Sequence, residues 1–178
     1  SSLNIEEVYE RFASEVHRLI PFDRLAINLI NKDGSTLINR YVKGDSAAGR
    51  NPGDIFPRAG TLTQALFENR KGLILDIQNE TEIAPKYPGL LPEIKAGFRS
   101  FLSVPLISRD QPVGGLHFRS KKSRIYSEKD LKLAENIAGQ IAGAIANAKL
   151  YRGLKEAKET LQKQEEEFRE LYDHAPLG

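Results

Sequence analysis

Cysteine and methionine are both missing from the 178 residues. Without a thiol the chain cannot build a disulfide framework, a thiolate zinc or iron–sulfur site, a cysteine nucleophile or a thioether-linked chromophore. A surplus of one charge is missing too: 26 Lys and Arg stand against 24 Asp and Glu, a formal charge of +2. General nucleic-acid and membrane-surface binders gain affinity from clustered cations, so neither partner is expected. The basic cluster Lys121-Lys122-Ser123-Arg124 reads as a solvated turn. No run approaches the roughly 18 apolar residues of a membrane span, and no basic-then-apolar leader precedes the first helix, so a cytoplasmic location is expected. There is also no Gly-rich phosphate loop, HExxH pair or nucleophile elbow, and no enzyme is expected in this segment.

What is present suits a soluble domain: 40% hydrophobic and 28% charged residues, with length for one core of about 150 residues and a remainder. Over residues 3–20, Ile5, Val8, Tyr9, Phe12, Val16 and Leu19 recur at helical spacing. Asn4 and Glu7 form a capping-box pattern at its start, and Pro21 ends it. Residues 24–31 and 36–42 flank Lys32-Asp33-Gly34 and predict a hairpin. Residues 43–60 read as a long irregular connection. A short helix follows, capped by Thr61 with Gln64 and closed by Gly72 in a left-handed conformation. Residues 72–77 predict a strand, residues 78–97 a Pro-rich irregular stretch, and residues 100–108 and 113–120 an antiparallel pair joined by Arg109-Asp110-Gln111-Pro112.

Ser127, with Asp130 three residues on, opens a last helix of up to about 45 residues, longer than the domain is wide. Its first half carries Leu131, Ala134, Ala138, Ile141, Ile145 and Ala148 at spacings of three and four. Its second half carries Leu150, Leu154, Ala157, Leu161, Gln164, Phe168 and Leu171 in the same rhythm but shifted phase, between alternating Lys and Glu. So narrow a stripe is the pattern of a two-stranded coiled coil. Ile141, Ile145, Leu150, Leu154, Leu161 and Phe168 are the residues expected to pair two copies. A phase break near residues 147–150 suggests two nearly equal packings.

Taken together, the run GTLTQALFENRKGLILDI (residues 60–77), the run FRSFLSVPLISRDQPVGGLHF (residues 98–118) and the long exit helix resemble a GAF domain over residues 3–150. The tail FRELYDHAPLG (residues 168–178) resembles the opening of a PAS domain. The expected domains are thus a GAF domain (1–150), a coiled-coil signalling linker (151–170) and a truncated PAS start (171–178). The resemblance implies an α+β fold, a GAF-like three-layer sandwich. Its central antiparallel sheet of five to six strands would carry the terminal helices on one face, and loops and short helices over a pocket on the other. It implies a regulatory small-molecule-sensing and dimerisation module cut from a bacterial signal transducer. The expected output is a sensor histidine kinase of a two-component system, with a diguanylate cyclase or a transcription factor as alternatives, and a ligand-free spacer as the rival reading. A pocket of several hundred Å³ would speak for sensing and filling by large side chains for the spacer.

Covalent bilin attachment and free methionine sulfoxide reduction, both known on this fold, need cysteines that this chain lacks. Haem needs an axial ligand, for which His117 is the best placed of His17, His117 and His174, and haem is not expected. The motif of cyclic-nucleotide-binding members cannot be traced beyond Asp76. What remains is an unidentified small-molecule ligand, with no cofactor or metal. Its expected wall is Tyr41, Phe56, Leu62, Leu66, Phe98, Arg99, Ser100, Phe101, Ser103 and His117. Arg99 would meet a carboxylate or phosphate or else cap the preceding loop. The parity of the strand around His117 stays open, since a shift of one residue exchanges pocket face for helix face.

Overall fold

A computed structural model describes residues 4–83 and 85–175. Helix α1 (Ile5–Val16) begins where the Asn4 side chain accepts the Glu6 N–H at 3.1 Å. It stops sooner than its apolar spacing predicts. Ile20 N–H still reaches Val16 O at 2.9 Å, but the chain then turns into Pro21, which has no N–H to continue a helix.

Six strands follow: β1 (Arg24–Ile30), β2 (Thr36–Gly44), β3 (Ile55–Pro57), β4 (Leu73–Asp76), β5 (Ser100–Ser108) and β6 (Gln111–Ser120). They form one antiparallel sheet in the order β3-β2-β1-β6-β5-β4. Strand β3 lies inside the stretch expected to be irregular. The β5–β6 turn is tighter than expected. Ser108 pairs with Gln111, leaving only Arg109 and Asp110, at φ 50° and 65°, to make the reversal. A two-residue turn whose central residues are both left-handed matches the twist of the strands it joins.

Helix α2 (Leu62–Asn69) is capped by Thr61, whose hydroxyl accepts the Gln64 N–H at 3.2 Å. Its left-handed end is Arg70 (φ 57°), not Gly72. Glycine is needed at 72 for another reason. A Cβ there would stand 2.6 Å from Leu131 Cδ1 and 2.7 Å from Val104 Cγ1. The Pro-rich stretch is less irregular than its composition predicts. It holds α3 (Glu80–Ile83), a 3-10 turn (Pro88–Leu90) and α4 (Leu91–Lys95), with prolines in first-turn positions where no N–H partner is needed.

Helix α5 (Glu128–Asp173) runs 46 residues without a break, about 69 Å at 1.5 Å per residue. Ser127 and Asp130 cap it reciprocally, at 2.8 Å from Ser127 N–H to Asp130 Oδ2 and 3.4 Å from Asp130 N–H to Ser127 Oγ. Ala134, Ala138, Ile141, Ile145 and Ala148 are buried, and all but Ala148 join Tyr9, Ala13, Leu25, Leu102, Val104 and Phe118 in the main core, between the sheet and the pair α1 and α5. This corrects the expected dimer seam. Ile141 and Ile145 are consumed by the chain's own core and are not available to a second copy. Leu150, Leu154, Leu161 and Phe168 are exposed instead, 50–71% accessible. Ala148 and Leu150 are two residues apart, about 200° around a helix of 3.6 residues per turn. The two apolar stripes therefore lie on nearly opposite faces of one rod. Of the tail that resembles a PAS opening, residues up to Asp173 continue the helix, and residues 176–178 lie outside the described residues.

Candidate functional site

The strand alternation assigns the faces. Leu25 and Ile27 of β1 join the core beneath the helices, so Arg24, Ala26 and Asn28 point the other way. Across the ladder Arg24 pairs with Arg119, Ala26 with His117 and Asn28 with Gly115, and on the far side Ser103 pairs with His117 and Phe101 with Arg119. Arg24, Asn28, Ser103, His117 and Arg119 form a polar floor. The loop between β2 and β3, the start of α2 and the turn leading into α4 roof it over.

Between floor and roof lies a cavity of about 30 Å³, room for about two water molecules. Arg24, Asn28, Asn39, His117 and Arg119 reach it from the sheet, and Arg50, Phe56, Leu62, Thr63 and Glu93 from the roof. Arg119 forms an ion pair with Glu93 (Nε to Oε2, 2.6 Å), both side chains almost wholly buried. Arg119 also donates to Ser103 Oγ (3.0 Å) and approaches His117 Nδ1 at 3.3 Å. A guanidinium only donates, so His117 Nδ1 must accept and its proton sits on Nε2, which faces Thr63 Oγ1 at 3.1 Å. Burial first, then Arg119 and Arg24, hold the His117 pKa well below 6.5. The imidazole is neutral. Thr63 passes the network on to Asn28, whose Oδ1 accepts the Gly115 N–H at 3.0 Å.

Arg24 is 1% exposed, and its partners are main-chain oxygens: Asp45 O at 2.9 Å and Arg50 O. Its Nε has no hydrogen-bond partner among the described residues. Arg50 lies over the Phe56 ring at 3.9 Å and donates to Gly89 O at 3.1 Å. Burial is the main cause lowering both guanidinium pKa values, with Glu93 opposing it in each case. Among the described residues neither arginine has a carboxylate within 4.0 Å.

Of the wall residues expected from the sequence, Phe56, Leu62 and His117 line this cavity. Ser103 lies one hydrogen bond beneath it, 2.8 Å from His117 Nδ1. Leu66 is buried on the roof side, against Gly115, without lining the cavity. Phe98 and Phe101 belong to a second apolar core with Leu62, Ile77, Leu90 and Ile94. Arg99 caps the preceding helix and loop, donating to Ile94 O (3.0 Å) and Phe98 O (2.8 Å). Ser100 Oγ lies within hydrogen-bonding reach of Asp76 Oδ1 (3.0 Å) and Lys122 O (2.7 Å), away from the cavity lining. Tyr41 points to the helix face, where it packs on Tyr9 and donates to Glu10. His17 and His174 are exposed and do not line the cavity.

Sequence reasoning missed Arg24, Asn28, Asn39, Arg50, Thr63, Glu93 and Arg119. Arg24-Ala26-Asn28 interleaved with Leu25-Ile27-Leu29 was a readable signal, but it is equally the signature of a solvated sheet face. Arg50 and Glu93 come from loops and reach the cavity through tertiary structure alone. No cluster of three His, Cys, Asp or Glu able to hold a metal occurs among the described residues.

An antiparallel six-stranded sheet with both terminal helices on one face and a loop roof over a polar cavity on the other defines a three-layer α+β sandwich. The GAF domain family model matches residues 2–146, and the chain belongs to that family, whose members are small-molecule-sensing and regulatory modules of signalling proteins. The formate hydrogenlyase transcriptional activator of Salmonella typhimurium is 24% identical over 163 residues, covering 90% of this chain and 23% of that protein. The chain thus spans about a quarter of that relative's length. The GAF domain of a two-component sensor histidine kinase from Bacillus halodurans superposes with a TM-score of 0.68 at 20% identity, covering 84% of this chain and 99% of that one. The GAF domain from an Acinetobacter phosphoenolpyruvate-protein phosphotransferase gives 0.67 at 20% identity, covering 84% and 87%. Among the described residues no helix is long and apolar enough to cross a membrane.

Proposed function

We propose that this chain is the sensing and dimerisation module of a larger signal-transduction protein. It binds a small molecule noncovalently beneath its roof and passes the occupancy on through α5, with no chemistry of its own. One observation carries the reading: the two faces of the same strands serve both ends of the route. On β5 and β6, Ser103, His117 and Arg119 form the floor network while Leu102, Val104 and Phe118 pack in the core beneath α5. Displacement of the floor is thereby delivered to the helix that leaves the domain. Two copies pair along the exposed stripe Leu150, Leu154, Leu161 and Phe168. The output domain is a sensor histidine kinase on the strength of the PAS-like tail. A transcription activator is the second reading, favoured by the similarity to the Salmonella activator over 90% of this chain.

The ligand-free spacer is favoured by the cavity volume, far below several hundred Å³. Against it stands the lining. A space closed only for stability is filled with apolar side chains, whereas this one holds three arginines, a glutamate and a histidine. A thermal-shift screen of metabolites and cyclic nucleotides separates the two, since a ligand of the folded state must raise the melting temperature. The sensing reading expects at least one saturable shift that is lost on filling the cavity with Thr63→Phe. A uniform absence of shifts across the library leaves the spacer.

A further inference from the structure

The charges around the cavity do not balance. Among the described residues three guanidiniums, from Arg24, Arg50 and Arg119, face one carboxylate, Glu93, and the carboxylate is spent on Arg119 at 2.6 Å. His117 is neutral and adds nothing. Among the described residues Arg24, 1% exposed and charged, has only main-chain oxygens as partners, and its Nε, on a cavity-lining side chain, has no partner. A buried cation without a counter-charge is costly, and an unsatisfied buried donor adds to the cost. Arg50 faces the same space from the roof, also without a carboxylate within 4.0 Å among the described residues, held by Phe56 and Gly89. The start of α2 adds the positive end of a helix at Leu62 and Thr63, both cavity-lining.

We propose that the ligand of this cavity is a small oxyanion, bound between Arg24 and Arg50, with its charged oxygens accepting from Arg24 Nε and the Arg50 guanidinium. The proposal rests on the reading of the cavity as a sensing site. A cavity of about 30 Å³ admits an anion of only a few heavy atoms unless the roof lifts, which excludes nucleotides from the site as it stands. The geometry also says what binding does. Arg24 already holds the roof loop through Asp45 O and Arg50 O, so an anion bridging the two side chains adds a second tie between floor and roof. An empty site leaves two like charges facing each other across the space.

The experiment measures melting temperature and calorimetric affinity for the whole chain with sodium formate, sodium acetate, inorganic phosphate and sulfate. Sodium chloride at matched ionic strength and acetamide, the neutral isostere of acetate, are the controls. Formate or acetate acting alone marks a planar carboxylate as the ligand chemistry, and phosphate or sulfate alone marks a tetrahedral anion. Either supports the proposal when acetamide and chloride are inert. Arg50→Gln, on the half-buried roof residue, must weaken the binding at least about ten-fold, as loss of a charge-assisted contact does. Arg24→Lys, which retains the charge and removes the Nε donor, must weaken it while the circular dichroism spectrum is unchanged. The proposal is overturned if no anion differs from chloride, or if binding survives Arg50→Gln. A neutral or cationic compound that binds while every anion fails overturns the anion assignment and leaves the sensing reading standing. A chain that binds nothing in either this panel or the broad library loses both.

Discussion

Arg24, on the floor strand, donates its guanidinium to the main-chain oxygen of Arg50 in the roof, so a sheet side chain fastens the loop above it by the loop's own backbone. The Asn39 side chain donates to the same oxygen at 2.8 Å. The Arg24 bond is charge-assisted and contributes about 1.5–3 kcal/mol, the neutral Asn39 bond about 0.5–1.5 kcal/mol. In Arg24→Gln, amide hydrogen exchange over residues 45–54 should accelerate at least ~10-fold, by the same arithmetic, while exchange in the first half of α5 is unchanged. Uniform acceleration through the domain would show instead that Arg24 supports the fold as a whole.

Among the described residues Glu93 is the one carboxylate paired with a cavity arginine. Glu93→Gln leaves the guanidinium of Arg119 buried without its counter-charge. Breaking a buried pair from one side costs about 3–5 kcal/mol, and urea denaturation should show a loss of that size. The paired change Glu93→Leu with Arg119→Met should cost much less than the sum of its parts. Simple additivity would mean that the two side chains do not act as a pair.

His117 gives the fold a pH dependence with a definite sign. The folded state keeps the imidazole neutral, whereas the unfolded chain takes up a proton near pH 6.5. The unfolded state therefore binds more protons below that value. The stabilisation is complete above pH 6.5 and is lost as the pH falls toward the depressed folded value, with a limiting slope of about 1.4 kcal/mol per pH unit. Denaturation curves between pH 7.5 and 5 should show this slope in the native chain and a smaller one in His117→Gln. Parallel slopes would remove His117 as the source.

The two faces of α5 separate by mutation. Leu154→Asp with Leu161→Asp should convert a dimer to a monomer by light scattering and leave the melting of the domain nearly unchanged, because both positions are solvent-exposed in the single chain. Ile141→Asp, 1% exposed, should unfold the domain, a buried unpaired carboxylate being among the most damaging single changes. An unaltered dimer in the double variant would sink the paired-helix reading.

Legibility in the sequence followed the range of the interactions. The N-termini of α2 and α5 were readable because caps are written within four residues, as in Thr61 with Gln64 and Ser127 with Asp130, whereas the end of α2 fell at Arg70 and not at the expected Gly72. The β5–β6 pair was readable because its strands are adjacent in the chain. Strand β3 has only three residues and is held by pairing with residues 36–38, so nothing local marks it. The cavity was legible only in part. Phe56, Leu62 and His117 stood out, but the arginines that define its charge looked like ordinary surface residues until a roof from elsewhere in the chain covered them. The phase break near residue 148 was visible as a shift in rhythm and suggested two alternative packings. In the structure it marks the place where the sheet stops covering one side of α5 and the opposite side becomes apolar.

That change of sides makes α5 a lever. The sheet grips it only as far as Ala148, and the 25 residues beyond, to Asp173, project about 37 Å. A tilt of about 5° at Ala148 would sweep the far end by about 3 Å, a distance comparable to one residue step along a strand. Under the proposed relay, a displacement too small to disturb the packing around the cavity would be magnified, by length alone, at the far end of the helix.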